Sequence, residues 1–150
     1  MNRNFNGSQI NQSATIVEQA GKDIDDVRNR ILAYDEGGNV ILAADGTVVP
    51  AGIAIIEAGV NDISGKESGK VAAGDDVDIQ VKDIGYVLAG AAITKGAEVM
   101  ASTGLAIPAT AGNYVVGIAL SAAAKDEYCR VHISRYQKST AATSVLSESP

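Results

Sequence analysis

The sequence predicts an all-β domain, mainly an antiparallel sandwich or barrel of two related halves, with an extended N-terminal arm and one short helix near residues 22–30. From residue 38 onward, short apolar runs are separated by turn residues at a spacing of roughly 8–12 residues, which is typical of sandwiches and barrels. Residues 77–81 and 129–133 alternate strictly between apolar and polar side chains, as half-buried strands do. A chain of 150 residues fits a single domain of this kind.

Both ends of the chain differ in composition from the body. Residues 1–20 are predicted to form the extended arm, because their asparagine-rich beginning cannot bury enough apolar surface to offset the entropy of ordering. The residues of this arm that we expect to contact a partner are one asparagine and three spaced apolar anchors: Asn4, Phe5, Ile10 and Ile16. Residues 137–150, rich in serine, threonine and alanine, are predicted to form a flexible C-terminal tail.

The body, residues 21–136, is predicted to be the β-domain with the short helix leading it. In the segment 22–30 apolar residues recur on one helical face, and acidic residues precede basic ones, as the helix dipole favours. An alternative stays open at the end of this segment. Residues 31–34 can instead form a strand that pairs, through an Asp-Glu-Gly-Gly turn, with residues 40–43.

The two halves of the body resemble each other in sequence. The matching segments, in order along the chain, are residues 41–43 with 99–101, 52–55 with 117–120, and 77–81 with 129–133. The last pair alternates in the same phase, so we interpret the matches as an internal duplication. Two copies are too few for a solenoid, and they therefore predict one β-domain built from two related halves.

Composition and charge exclude several classes of function. The net charge of −6 opposes binding to a phosphate backbone, and an aromatic content of 4% leaves little for a base-stacking platform. The longest apolar stretch is interrupted by proline, glycine and glutamate, so no membrane span is predicted. The chain also begins without a signal-peptide pattern. We therefore expect a soluble protein made in a cytoplasm, with neither a nucleic-acid nor a membrane partner.

No residue pattern predicts catalysis. The single histidine, His132, and the single cysteine, Cys129, fall in one alternating strand, in which His132 should point outward and Cys129 should be buried; together they cannot complete a four-ligand zinc site. The acidic residues 75–78 lack the spacing of a calcium loop, and residues 65–70 lack the hydroxyl that a phosphate loop needs next. The sequence thus predicts no enzyme, no cofactor and no metal.

Three segments of the body follow one another in a characteristic order: Gly74-Asp75-Asp76-Val77, then Ala91-Ala92-Ile93-Thr94-Lys95-Gly96-Ala97-Glu98-Val99, then Tyr114-Val115-Val116-Gly117-Ile118-Ala119-Leu120. In this order and spacing the chain resembles tailed-phage capsid decoration (cement) and head-fibre proteins, over about residues 74–135 with a weaker similarity over 38–60. The resemblance implies a non-enzymatic virion protein on the outer surface of the capsid, present in the host cytoplasm during assembly. It also implies the major capsid protein as partner, a homotrimer as the usual assembly, and capsid stabilisation as one role.

Two classes of function stay open at this point. In the first, the chain is a decoration or head-fibre protein whose residues 1–20 dock on the major capsid protein. In the second, it is a host-surface binding module that recognises glycan or protein through aromatic-lined grooves. The tyrosines in question, Tyr86, Tyr114, Tyr128 and Tyr136, are scattered singly along the sequence. This scattering favours the first class.

Overall fold

A computed structural model describes residues 13–140 of the chain, which form ten β-strands and, within that range, no helix. The strands are β1 (Thr15–Gln19), β2 (Ile31–Tyr34), β3 (Val40–Leu42), β4 (Pro50–Ala54), β5 (Asp76–Gln80), β6 (Ile84–Leu88), β7 (Glu98–Ser102), β8 (Leu105–Pro108), β9 (Tyr114–Ala119) and β10 (Tyr128–Gln137). They pair into two five-stranded antiparallel sheets. The predicted all-β fold is confirmed, and a sandwich of two sheets fits it.

The two sheets have the same topology. We call β1–β5 (residues 15–80) the first half and β6–β10 (residues 84–137) the second half. The strand order is β1-β5-β4-β2-β3 in the first half and β6-β10-β9-β7-β8 in the second. In both, the first strand pairs with the fifth, the fifth with the fourth, the fourth with the second, and the second with the third. The predicted pair of related halves is therefore present in the fold.

The register of pairing is also the same in the two halves. In the first half Ile53 lies opposite Gln80, and in the second half Ile118 lies opposite His132. Each sheet also has one isolated parallel bridge between its first and third strands, Ala20 with Val40 and Ala89 with Ala106. These bridges bring the two edges of each sheet together, so that each half curls toward a small barrel.

Of the three sequence matches between the halves, two fall on equivalent strands and one does not. Segments 52–55 and 117–120 lie on β4 and β9, and segments 77–81 and 129–133 lie on β5 and β10. The match of residues 41–43 with 99–101 is wrong, because it equates the third strand of one half with the second strand of the other. Short runs of valine, leucine and alanine fit any buried strand, and they do not distinguish adjacent ones.

The predicted helix over residues 22–30 is wrong. Ile24 and Val71 instead exchange two backbone hydrogen bonds, of 2.8 and 2.9 Å, and the N–H of Val27 donates to the carbonyl oxygen of Gly69 (2.9 Å). These long-range partners take the N–H groups that a helix would have used. The alternative hairpin is confirmed, since β2 and β3 pair through the predicted turn.

The predicted arm and tail lie partly outside the described residues. Residues 1–12 and 141–150 are outside, whereas the end of the arm forms β1 and pairs with β5. At the other end, β10 continues to Gln137, and the N–H of Lys138 donates to the carbonyl oxygen of Asn113 (2.8 Å).

Two apolar clusters form the core, and the first half contributes to both. Leu32 and Ala54 face the interior of the first half, while their neighbours Ile31 and Ile53 pack into the cluster of the second half. All five residues of β4 are buried. β2 and β4 are therefore covered on both faces, and the cluster on one of these faces is built from residues of both halves.

Candidate binding groove between the two halves

A groove of about 510 Å³ opens where the two halves meet. The first half lines it with β4 and the residues that follow, and the second half with β6 and the start of β10. The large apolar side chains of the lining are Ile53, Ile55, Ile56, Ile84, Tyr86 and Tyr128. Four of them, Ile56, Ile84, Tyr86 and Tyr128, remain 47–55% exposed. A concave, mostly apolar surface of this size is the usual setting for a ligand or for a partner's side chain.

The pairing of β6 with β10 brings the two tyrosines of the groove together. Tyr86 lies opposite Arg130, and Tyr128 lies opposite Leu88, so the tyrosines occupy diagonal positions on the same face of the pair. They are far apart in the sequence. The fold therefore brings together two tyrosines that are scattered singly along the sequence.

Asn29 joins the two halves at the groove. Its backbone N–H donates to the carbonyl oxygen of Ala54 in the first half (2.9 Å). Toward the second half, its carbonyl oxygen accepts from the N–H of Leu88 (3.1 Å), and its side-chain Nδ2 donates to the carbonyl oxygen of Tyr86 (3.0 Å). Asn29 therefore occupies the free edge of β6 and satisfies backbone groups that would otherwise need water.

The other side-chain atom of Asn29 has no such partner. The residue is only 4% exposed, and its Oδ1 accepts no hydrogen bond from any group within residues 13–140. A buried acceptor without a partner costs about 1–3 kcal/mol. The backbone at Asn29 has φ of 55°, a left-handed conformation that asparagine tolerates better than most residues. Two unfavourable features at one groove residue indicate a site with a role beyond packing.

Gln80 fixes the short connection between the halves beside the same groove. Its Nε2 donates to the carbonyl oxygens of Lys82 (2.9 Å) and Ile84 (2.7 Å). The second of these carbonyls belongs to β6, so the side chain ties the end of β5 to the first strand of the second half. The side chains of Asn29 and Gln80 thus both hold β6 in place beside β4.

Charged groups stand around the groove. Arg28 and Asp26 form an ion pair (2.9 Å), and this hydrogen-bonded guanidinium lowers the pKa of the Asp26 carboxyl. Glu57 lines the groove and is exposed, and within residues 13–140 it forms no ion pair. The groove therefore presents one free carboxylate beside its apolar floor.

The connection between β4 and β5, residues 55–75, leaves the groove and projects from the first half. Its outer loop is organised by Asp62, whose carboxylate accepts hydrogen bonds from the hydroxyl and N–H of Ser64 and from the N–H of Glu67. The Ser64 hydroxyl is the main reason that the pKa of Asp62 is lowered. Between these anchored residues, Ile63 has a fully exposed side chain.

The residues predicted to contact a partner are not brought to this groove. Asn4, Phe5 and Ile10 lie outside the described residues. Ile16 is in β1, where its partly buried side chain packs against the core of the first half. The capsid contacts predicted for these four residues stay predictions.

The chemistry-bearing residues of β10 lie where the alternation predicted. His132 is exposed, whereas Cys129 is buried, and burial raises the pKa of its thiol. Over residues 13–140, no three histidine, cysteine or acidic side chains come together as metal ligands would. The same part of the chain has no helix long and apolar enough to cross a membrane.

Sequence reasoning missed the groove because it depends on pairs of residues distant in the chain. Asn29 fell inside the segment predicted as a helix, and Ile53 was noted only within the repeated segment 52–55. One signal was available. Asparagine is the side chain that most readily adopts a left-handed backbone, so an Asn within a weak helical pattern indicates a break in it.

Comparison with solved structures places the fold. The chain is similar to the N base of the head fibre gp8.5 of bacteriophage phi29, known from a crystal structure, with a TM-score of 0.58 and 23% sequence identity. The match covers 80% of this chain and 92% of the other. No protein-family model matches the chain, and no curated protein sequence matches it significantly. The described residues therefore have the fold of a phage head-fibre base.

Proposed function

We propose that this chain is a non-enzymatic phage virion protein that binds the outer surface of the assembled capsid, as a head-fibre or cement protein. The observation that carries the proposal is the fold shared with the phi29 head-fibre N base over 80% of this chain. The sequence resemblance to decoration and head-fibre proteins supports the same class from separate evidence. Its location is then the capsid surface, after synthesis in the host cytoplasm.

The physical character of the domain supports a protein partner. The chain is acidic, with a net charge of −6, and its described strands enclose apolar clusters beside an open, mostly apolar groove. We propose the major capsid protein as the partner and a homotrimer as the assembly. On a shell with repeated three-fold positions, a trimer engages three attachment points together, so that weak individual contacts give stable decoration.

We propose that the N-terminal arm makes the capsid contact. Because Thr15–Gln19 is a strand of the first sheet, the contacting part of the arm is residues 1–12, which include Asn4, Phe5 and Ile10. Ile16, which is partly buried in β1, would contribute at the point where the arm enters the sheet.

Deleting residues 2–12 tests the arm. The shortened chain should keep the β-rich circular dichroism spectrum of the full chain and should no longer co-sediment with undecorated phage heads. A double substitution, Phe5→Ser with Ile10→Ser, should weaken co-sedimentation in the same direction. A shortened chain that sediments with heads as the full chain does would refute the arm as the attachment. Heads that bind neither form would refute the capsid-binding proposal itself.

The second class, a host-surface binding module, is supported by one specific feature. Tyr86 and Tyr128 stand together on the groove, as in sites that bind a sugar or an apolar side chain against aromatic rings. A glycan array probed with the purified chain tests this class. Binding to an array glycan that is lost in Tyr86→Ala and kept in Tyr114→Ala would favour it over the capsid role.

A further inference from the structure

The connection that projects from the first half carries the chemical complement of the groove. Ile63 at its tip is 106% exposed relative to a free reference residue, and its backbone N–H has no hydrogen-bond partner among residues 13–140. The neighbouring amides are all occupied: those of Asp62, Ser64 and Gly65 donate within the loop. An aliphatic side chain and a free donor are thus presented together by a loop that is already ordered.

We propose that a second copy of this chain inserts Ile63 into the groove. The side chain would lie against Ile56, Tyr86 and Tyr128, which line the groove and are about half exposed. An exposed aliphatic side chain and a half-exposed apolar groove both remain uncovered within residues 13–140 of a single chain, and docking would bury each against the other.

Charge at the two surfaces is complementary. Lys66 is exposed on the same loop as Ile63 and forms no ion pair within residues 13–140, while the other loop cation, Lys70, pairs with Glu67 (2.7 Å). At the groove, Glu57 is the exposed carboxylate without an ion pair in the described part of the chain. Docking of Ile63 brings the free cation of one copy toward the free carboxylate of the next, which orients the contact.

The contact is heterologous, since the loop of one copy meets the groove of another. Contacts of this kind close into a ring or continue as a filament. A closed ring agrees with the homotrimer of the proposed function. The inference rests on the proposed function only for the self-association itself, and the identity of the residues in contact is new.

Cysteine pairing between separately made variants tests the contact. Ile63→Cys and Ile56→Cys chains, each retaining the buried Cys129, are mixed under mild oxidation. The mixture should give a disulfide-linked dimer of twice the 15.3 kDa chain mass on a non-reducing gel, and each variant alone should stay single. The control is Lys95→Cys mixed with Ile56→Cys, because Lys95 is exposed on a turn of the second half. Dimers of Ile56→Cys alone, or equal yields with Lys95→Cys, would overturn the proposal.

Light scattering provides the second measurement. Ile63→Asp should weaken self-association by about 10- to 100-fold, the effect of losing one buried aliphatic side chain, while Asn61→Asp on the same loop should leave it unchanged. Lys66→Glu and Glu57→Lys should each weaken it, and the two together should restore it. A wild-type chain that is monomeric, or an Ile63→Asp chain that associates normally, refutes the contact. Head co-sedimentation is scored separately, so loss of capsid binding with intact cross-linking would refute only the proposed function.

Discussion

The two halves of this molecule have the same strands in the same register, and they differ in what surrounds those strands. β4 and β5 are joined by residues 55–75, whereas the equivalent β9 and β10 are joined by residues 120–127. The longer connection supplies Ile55, Ile56 and Glu57 to the groove, and it ends in the loop that exposes Ile63. The shared framework therefore explains the stability of the fold, and the feature that is not shared carries the candidate site.

Equivalent positions also differ in environment. Ile31 and Ile53 lie opposite each other in the first half, and both are buried against the second half. Their equivalents, Glu98 and Ile118, lie opposite each other on the outer side of the second half and are only half-buried. The same face of the sheet is thus an internal interface in the first half and a surface that carries a charged residue in the second.

The largest expected effect comes from truncating the two equivalent isoleucines. Ile53→Ala should lower the free energy of unfolding by about 2–5 kcal/mol, because it leaves a cavity in the interior that both halves share. Ile118→Ala should cost about 1 kcal/mol, because the side chain is partly in water already. Urea unfolding of both variants measures the difference. Equal losses would show that the outer face of the second half is covered in solution.

A smaller loss of stability, of similar size in the two halves, is expected on substitution of two equivalent glycines. A Cβ at Gly52 would lie 2.4 Å from the carbonyl oxygen of Gln80, and a Cβ at Gly117 would lie 2.1 Å from that of His132. Backbone must move in both cases, so Gly52→Ala and Gly117→Ala should each destabilise by about 1–3 kcal/mol.

The control for the glycines is Gly37→Ala in the turn between β2 and β3, where the nearest atom would be at an ordinary 3.4 Å. This substitution should leave the midpoint of urea unfolding almost unchanged. If only one of the two strand glycines proves sensitive, the halves are equivalent in topology without being equivalent in packing.

These contrasts also explain which parts of the molecule could be predicted from sequence. The alternation at residues 77–81 and 129–133 indicates strands with one face on a core. The sequence therefore predicted both β5 and β10, and their common phase predicted that the two strands are equivalent. The segment 22–30 was wrongly predicted as a helix. Its helical spacing is a local pattern, whereas Ile24 pairs with Val71, far along the chain. The groove could not be predicted at all. Its walls come from both halves. A local sequence pattern does not indicate that an edge strand of one sheet will lie beside a connection of the other.

The smallest expected effect on stability concerns Glu98, the charged residue on the outer side of the second half that is equivalent to Ile31. The hydroxyl of Tyr136 donates a hydrogen bond to the Glu98 carboxylate, which also pairs with Lys138 (3.1 Å). The Tyr136 hydrogen bond is the main reason that the pKa of Glu98 is lowered. Partial burial, together with the carboxylate, raises the pKa of Tyr136 to about 12. At the equivalent position of the first half, Ile31 has no charge to titrate.

Stability should therefore depend on pH through the second half at both extremes. Because the folded chain holds the Tyr136 proton more tightly than the unfolded chain, the hydrogen bond contributes fully below the unfolded pKa of roughly 10, and its contribution is lost as the pH rises through about 12. For Glu98 the sign is opposite, and its contribution is lost as the pH falls through the lowered pKa. In a titration followed by phenolate absorbance, Tyr136→Phe should remove the component near 12, and Tyr34→Phe should retain it. If the Tyr136→Phe chain titrates like the wild type, the pairing of Tyr136 with Glu98 does not persist in solution, and the outer face of the second half is less ordered than its counterpart at the interface.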